Sequence, residues 1–167
     1  MAIFGAKLFK RNSNGSFYEN DAIGKNSEAV TQGDLLTVAS GLLSVSGATT
    51  TVVGVAAKTF TYASDNQTVA KLAPLYTPIY QDDLFLMGTN ADLTGNATNA
   101  GTYYGITGAT NAQVVDVTTG VTTGASRVVE IVEVDPRGKG GTGAGSGLRE
   151  CLVRIVKTPY TNVTITA

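Results

Sequence analysis

The chain has 167 residues and a hydrophobic content of 43%, enough for one ordinary domain that buries roughly two thirds of its unfolded surface. The 12 basic and 13 acidic residues are spread along it and leave a net charge of −1, without the clustered Lys and Arg of a nucleic-acid binder. No run of 18 apolar residues occurs, which excludes a transmembrane helix. Histidine is absent and Cys151 is the single cysteine, so Ser-His and Cys-His catalysis, zinc sites of several Cys and His ligands, and an intramolecular disulfide are excluded.

Charged residues make up only 15% of the chain, against a usual value of about 25%. Such a low-charge, Thr-rich surface suits a protein that is held against partners, although a secreted or simply Thr-rich β protein would share this composition. The first apolar residues precede Lys7 and Lys10, which is the wrong order for a signal peptide. We therefore expect synthesis and retention in a cytoplasm until the producing cell breaks.

Residues 1–30 differ from the rest of the chain. The stretch 10–16 is polar and rich in turn-forming residues, and further turn signals follow at 20–21 and 24–26. We interpret 1–30 as an N-terminal arm with one or two short elements that docks on a neighbouring subunit, the alternative being a frayed terminus. Residues 31–167 are then the β-rich domain.

The remainder of the chain has a β pattern, in short β-branched runs that are divided by Gly, Asn and Asp. The predicted strands are 34–39, 41–46, 50–57, 68–73, 79–87, 102–106, 112–118, 127–134, 148–157 and 162–166. No window combines a helical period with caps, so we expect at most one short helix, within 19–30 or near 89–94. This pattern predicts an all-β fold, a single-domain β-barrel or β-sandwich with an extended N-terminal arm.

Alternation along the strands indicates which faces are buried. In 148–157, the face with Cys151, Val153 and Ile155 is assigned to the core, while the other face alternates apolar with charged residues, as in a subunit contact or a half-covered sheet. The run 84–87 is apolar on both faces, so we expect it to be buried inside the domain or under a partner. Pro74 and Pro78 bracket a linker that we expect not to be a central strand.

Each motif that could indicate a cofactor or metal site lacks a residue or an element that the site requires. The run 136–147 contains a literal G-x-G-x-x-G, but a strand follows it where a dinucleotide site needs a helix, so we interpret it as a flexible loop between two antiparallel strands. The stretch 90–95 begins like a calcium loop, but its twelfth position is Gly101 where the loop needs Glu. Asp34 is read as a turn residue and Cys151 as an inert core thiol. We predict no catalytic, cofactor or metal site.

Five segments together resemble the head decoration (cement) proteins of tailed bacteriophages. They are 31–39, 53–58, 74–87, 101–106 and 128–135, and the likeness spans about 31–157 without covering the arm. The resemblance implies a β-barrel or β-sandwich subunit, usually a homotrimer, that binds the major capsid protein on the outside of the mature capsid. There it would hold the shell against internal DNA pressure. It implies a virion location and no nucleic-acid or membrane partner.

Aromatic and aliphatic side chains on exposed linkers are typical interface anchors, so they are the predicted capsid or subunit contacts, the alternative being that they pack on their own domain. These residues are Phe4, Leu8, Phe9, Phe17 and Tyr18 in the arm and Leu75, Tyr76, Ile79 and Tyr80 in the proline-bracketed segment. A rival hypothesis is a tail, baseplate or fibre module that binds a receptor or glycan. Tyr103 and Tyr104 are adjacent, so a strand there would leave one ring outside as a glycan platform.

Overall fold

The computed structural model describes residues 5–10, 18–19, 23–48, 50–64, 74–76, 83–120, 126–138 and 148–158. Within these ranges the chain forms fourteen strands and one short helix, which confirms the predicted all-β class. The predicted strands 68–73 and 162–166 lie outside the described residues, as do most residues of the glycine-rich loop.

The strands in chain order are β1 (Lys7–Lys10), β2 (Tyr18–Glu19), β3 (Ile23–Gly24), β4 (Ala29–Val30), β5 (Leu35–Ala39), β6 (Leu42–Val45), β7 (Gly54–Ala56), β8 (Phe60–Thr61), β9 (Pro74–Tyr76), β10 (Leu84–Leu93), β11 (Tyr103–Thr107), β12 (Val114–Asp116), β13 (Val129–Val134) and β14 (Leu148–Ile155). The helix α1 (Asn96–Asn99) lies between β10 and β11.

Five strands close into a β-barrel in the order β10-β12-β11-β13-β14, with β14 returning to β10. The β10–β12 pair is parallel, joined at Thr89 and Val115, and the other pairs are antiparallel. The return pairing sets Phe85 opposite Val153 and Met87 opposite Cys151. Closure leaves these strands without long unpaired edges, which protects them from pairing with other chains.

The barrel interior confirms the two burial predictions from alternation. Cys151 and Val153 are fully buried and Ile155 is 2% exposed, so this face of β14 does form core. Phe85 and Met87 fill the same core, while Leu86, which points the other way, is also buried. Leu84, on the same face as Leu86, is partly buried, so the run 84–87 is covered on one face and mostly covered on the other.

A second sheet, in the order β2-β9-β7-β5-β6-β3, packs against the barrel. Its β5–β6 hairpin turns at Ser40 and Gly41, both with positive φ, as a two-residue turn that matches strand twist requires. Leu35 points into the barrel core, whereas Leu36 points into a smaller apolar cluster with residues of the β4–β8 ribbon. The sheet thus lies between the barrel and the ribbon.

The proline-bracketed segment corrects one prediction. The strand β9 lies between β2 and β7, which is a central position. The proline argument was wrong because the strand has only three residues and begins at Pro74. Pro74 has no N–H group to donate, but it stands at the end of the ladder, where a sheet tolerates proline.

The short helix lies just after the stretch 89–94, near which it was expected. Residues 89–93 continue β10, held by ladder contacts of Thr89 with Val115 and of Leu93 with Leu148. The strand β10 ends at Leu93, and α1 begins directly after Gly95, whose φ is 108°. Long-range pairing thus prevailed over the local composition of 89–94.

Described parts of the predicted arm belong to the sheets of their own chain. The strand β1 pairs with β10, β2 with β9, β3 with β6 and β4 with β8. The division at residue 30 and the docking of the arm on a neighbour stay predictions.

Burial of Cys151 leads to a pH-dependent expectation. Its Sγ contacts the Met87 carbonyl oxygen at 3.5 Å, and burial raises the pKa of the thiol to about 12. In the unfolded chain a cysteine titrates near pH 8.5. We therefore expect the folded protein to resist thiol labelling at pH 9 and to react fully in denaturant. Because the folded state keeps its proton, this group destabilises the fold as pH rises above about 8.5. Rapid labelling of the native protein at pH 9 would contradict this placement.

Candidate contact surface

Two predicted contact residues on β1 have different environments. Leu8 is opposite Phe85 in the ladder and packs against the barrel core. Phe9 is 51% exposed. Among the described residues, Phe9 and Val38 are the two large hydrophobic residues with exposed side chains, and Phe9 is the more exposed. The register shifts between Leu8 and Lys10, so Phe9 is the unpaired residue of a β-bulge, a device that redirects a side chain. Leu8 therefore stabilises its own fold, and Phe9 is accessible to a partner.

The structure brings the other two predicted segments together at one edge of the second sheet. Tyr18 of β2 is opposite Leu75 of β9, and Tyr76 is opposite Val55 of β7. The arm and the proline-bracketed segment are thus neighbouring strands, a proximity that the sequence did not indicate. The remaining predicted contacts, Phe4, Phe17, Ile79 and Tyr80, lie outside the described residues.

A buried carboxylate connects the second sheet to the barrel. Asp34, only 1% exposed, follows the turn before β5, as expected of a turn residue. It accepts hydrogen bonds from the Thr31 N–H at 2.8 Å, the Asn111 N–H at 3.0 Å and the Thr110 hydroxyl. Thr110 and Asn111 belong to the turn between β11 and β12 of the barrel. One carboxylate thus fastens two loops that are far apart in the chain.

A buried carboxamide makes the second connection. Gln113 is fully buried at the start of β12, and its Oε1 accepts the Leu35 N–H at 2.6 Å. Its Nε2 donates to the Ser46 carbonyl oxygen at 2.9 Å. The carboxamide therefore bridges the Leu35 N–H and the Ser46 carbonyl oxygen at the end of the β5–β6 ladder. We call Asp34 and Gln113 the polar joint, and sequence reasoning missed this role for both residues.

A second polar cluster lies at the end of β12. Asp116 accepts hydrogen bonds from the Asn90 side-chain amide at 2.7 Å and from the Thr118 and Thr119 hydroxyls. These bonds, with the Thr119 hydroxyl as the largest cause, lower the pKa of Asp116 to about 2. Asn90 began the calcium-like stretch, but here it ties β10 to β12. Among the described residues no group of three His, Cys, Asp or Glu side chains is placed to hold a metal ion.

The Asp116 cluster gives a titration test. Thr119→Ala removes the largest cause of the shift, so we expect the pKa of Asp116 to rise from about 2 part of the way toward 3.8. A depressed carboxylate pKa stabilises the fold above about pH 4 and loses that contribution as pH falls toward 2. The carboxyl shift in a ¹³C NMR titration measures the change. Thr98→Ala, on the exposed side of α1, is the matched control, and equal midpoints in both variants would contradict the cluster.

The outer face of the barrel carries paired charges beside one aromatic ring. Tyr103 lies opposite Glu130, which pairs with Arg154 at 2.9 Å. The Arg127 guanidinium lies 4.7 Å from the centre of the Tyr103 ring. Tyr104 points inward and is 5% exposed, as expected for adjacent strand residues. One face of the outer ring is thus already covered by a cation, which reduces its use as a stacking platform.

A shallow groove of about 440 Å³ runs between β6 and the β11–β12 turn. The polar groups along it serve the fold. Glu28 accepts the Val45 N–H at 2.9 Å, and the Thr110 hydroxyl donates to Asp34. The groove is therefore part of the seam between the barrel and the second sheet.

No protein-family model and no curated protein matches this chain. Among the described residues no helix is long and apolar enough to cross a membrane. The resemblance to head decoration proteins therefore rests on the residue pattern of the sequence alone.

Proposed function

We propose that this protein is a non-catalytic structural part of a phage particle. It binds the outer surface of the mature capsid through the major capsid protein and stabilises the shell against internal pressure. By its resemblance it does so as a homotrimer, made in the host cytoplasm and carried on the virion exterior. It requires no cofactor and contacts neither nucleic acid nor membrane.

The polar joint is the observation that carries the proposal. The segment 31–39, which opens the likeness to decoration proteins, contains Asp34 and Leu35, where the second sheet is fastened to the barrel. Two other segments of the likeness contain β7 of that sheet and β13 of the barrel. The segments that carry the resemblance thus contain residues that fasten the second sheet to the barrel. A unit whose two sheets are fastened together loses little ordering entropy when it binds a shell.

The reactive groups of the described chain support a structural role. The carboxylates of Asp34 and Asp116 accept several hydrogen bonds, and those of Glu130 and Glu150 pair with Arg154 and with Arg137. The thiol of Cys151 is buried in the barrel. Each of these groups holds parts of the fold together.

Weak contacts repeated in an oligomer add through avidity, so a small subunit can bind a shell tightly.

Heads that have expanded and packaged DNA without this protein provide the test. The temperature at which DNA becomes accessible to an intercalating dye is measured with and without saturating purified protein. We expect a higher release temperature with the protein, and no change with an unrelated protein at the same concentration. An unchanged release temperature at saturation would contradict stabilisation of the shell.

The rival, a tail, baseplate or fibre module for a receptor or glycan, draws on Tyr103, whose partly buried ring lies on the outside of the barrel. Binding on a glycan array that Tyr103→Ala abolishes, together with no effect on heads, would favour it.

A further inference from the structure

We infer that Lys7, Phe9 and Lys10 form an anchor, here the β1 anchor, for a protein surface with an apolar hollow rimmed by carboxylates. The inference rests on the proposed function and names the chemistry of the capsid surface that the protein recognises. Lys7 and Lys10 were not among the residues predicted from the sequence to make contacts.

The backbone of β1 presents this anchor. A regular ladder would place Phe9 opposite Leu84, but the bulge after Leu8 gives that place to Lys10 and leaves Phe9 unpaired. Leu8 remains fixed opposite Phe85 and packs on the barrel core. The exposed Phe9 ring therefore lies on a strand that Leu8, the preceding residue, holds against the barrel core. Such a site loses little entropy on binding, because its backbone is already ordered.

The charges around Phe9 indicate the charge of the surface that it binds. Lys7 and Lys10 are exposed, and neither has an ion pair with any described residue. Their ladder partners in β10, Leu86 and Leu84, carry no charge. By contrast, Arg137, Arg149 and Arg154 of the barrel face all pair with acidic residues. Two lysines without an ion pair to any described residue, on either side of an aromatic ring, complement a surface with carboxylates around an apolar hollow, and their charges also raise the association rate.

The other exposed large hydrophobic residue lacks these features. Val38, 38% exposed, lies near the tip of the β5–β6 hairpin, which turns at Ser40 and Gly41. It therefore serves as a control for loss of exposed apolar surface.

The experiment measures binding of purified protein to expanded heads that lack it, by co-sedimentation at several salt concentrations. We expect Phe9→Ala to weaken binding by about tenfold or more, as for a central aromatic contact. We expect the double variant Lys7→Gln, Lys10→Gln to weaken it by about three- to tenfold at 0.15 M salt and to flatten its salt dependence. The controls are Val38→Ala and the double variant Lys25→Gln, Lys58→Gln, which removes two other exposed lysines; both should bind like the wild type.

The outcomes separate the two proposals. No binding of the wild-type protein to heads would overturn the proposed function itself. Wild-type binding that persists in the Phe9 and double-lysine variants would overturn the β1 anchor alone, as would tighter binding on loss of the lysines. Wild-type binding to vesicles of phosphatidylcholine and phosphatidylserine that depends on these three residues, with unchanged binding to heads, would assign the anchor to an anionic membrane and overturn it too. Unchanged melting temperatures verify that each variant is folded.

Discussion

Phe85→Ala is expected to lower the free energy of unfolding by about 4 kcal/mol, the usual cost of removing a fully buried aromatic ring. Phe85 is 0% exposed and lies opposite Val153 where β14 returns to β10 and closes the barrel. The cavity would open beside Leu8, Met87 and the other apolar side chains of this core. A change of this size is a large fraction of the 5–15 kcal/mol that stabilises an ordinary domain, and urea unfolding monitored by circular dichroism measures it.

A matched control lies in β1, the strand that pairs with β10. Phe9→Ala removes the same side chain from a half-exposed position and should change stability by no more than about 0.5 kcal/mol. If Phe85→Ala does not accumulate as folded protein, Phe85→Leu is the second variant, with an expected loss of about 1.5 kcal/mol. Equal effects of the two alanine variants would show that Phe85 is not in a closed core.

Gln113→Leu is expected to cost about 3 kcal/mol, because it leaves two buried backbone groups without partners at about 1–3 kcal/mol each. The orphaned groups are the Leu35 N–H and the Ser46 carbonyl oxygen, both now bonded to the carboxamide. Leucine fits the volume but offers neither a donor nor an acceptor. We also expect the Leu35 amide to exchange its hydrogen faster, since the polar joint protects it in the native protein.

Gln32→Leu is the control for the second prediction. Gln32 is exposed in the turn before β5, and leucine there should change stability by no more than about 0.5 kcal/mol. If Gln113→Leu were as mild as this control, with unchanged exchange at Leu35, the polar joint would not hold the sheet to the barrel.

Local patterns predicted the parts of the fold that depend on local physics. Period-2 alternation identified the core face of β14 at Cys151, Val153 and Ile155, and the doubly apolar run identified β10. The Ser40–Gly41 turn separated two predicted strands correctly, because a two-residue hairpin needs positive φ at both positions. These features require only neighbours in the chain.

The parts that sequence reasoning missed depend on distant pairing. Nothing near Thr89 indicates its parallel contact with Val115, and barrel closure requires that contact. The polar joint could not be predicted from the sequence for the same reason, because the hydrogen bond between Gln113 and Leu35 joins residues 78 positions apart. Phe9 was among the predicted contacts, but the bulge that exposes it while Leu8 packs on the core appears only in the register with β10. A single glutamine before a β-branched run was the one signal for the joint, and it is too common to be specific.

Cryo-electron microscopy of expanded heads mixed with the purified protein tests the central claim most directly. The structural proposal predicts density in a regular lattice on the outer shell, into which the barrel and its attached sheet fit as one rigid unit, with β1 facing the capsid. Heads that stay bare at saturating protein, or density found only at the tail, would contradict it.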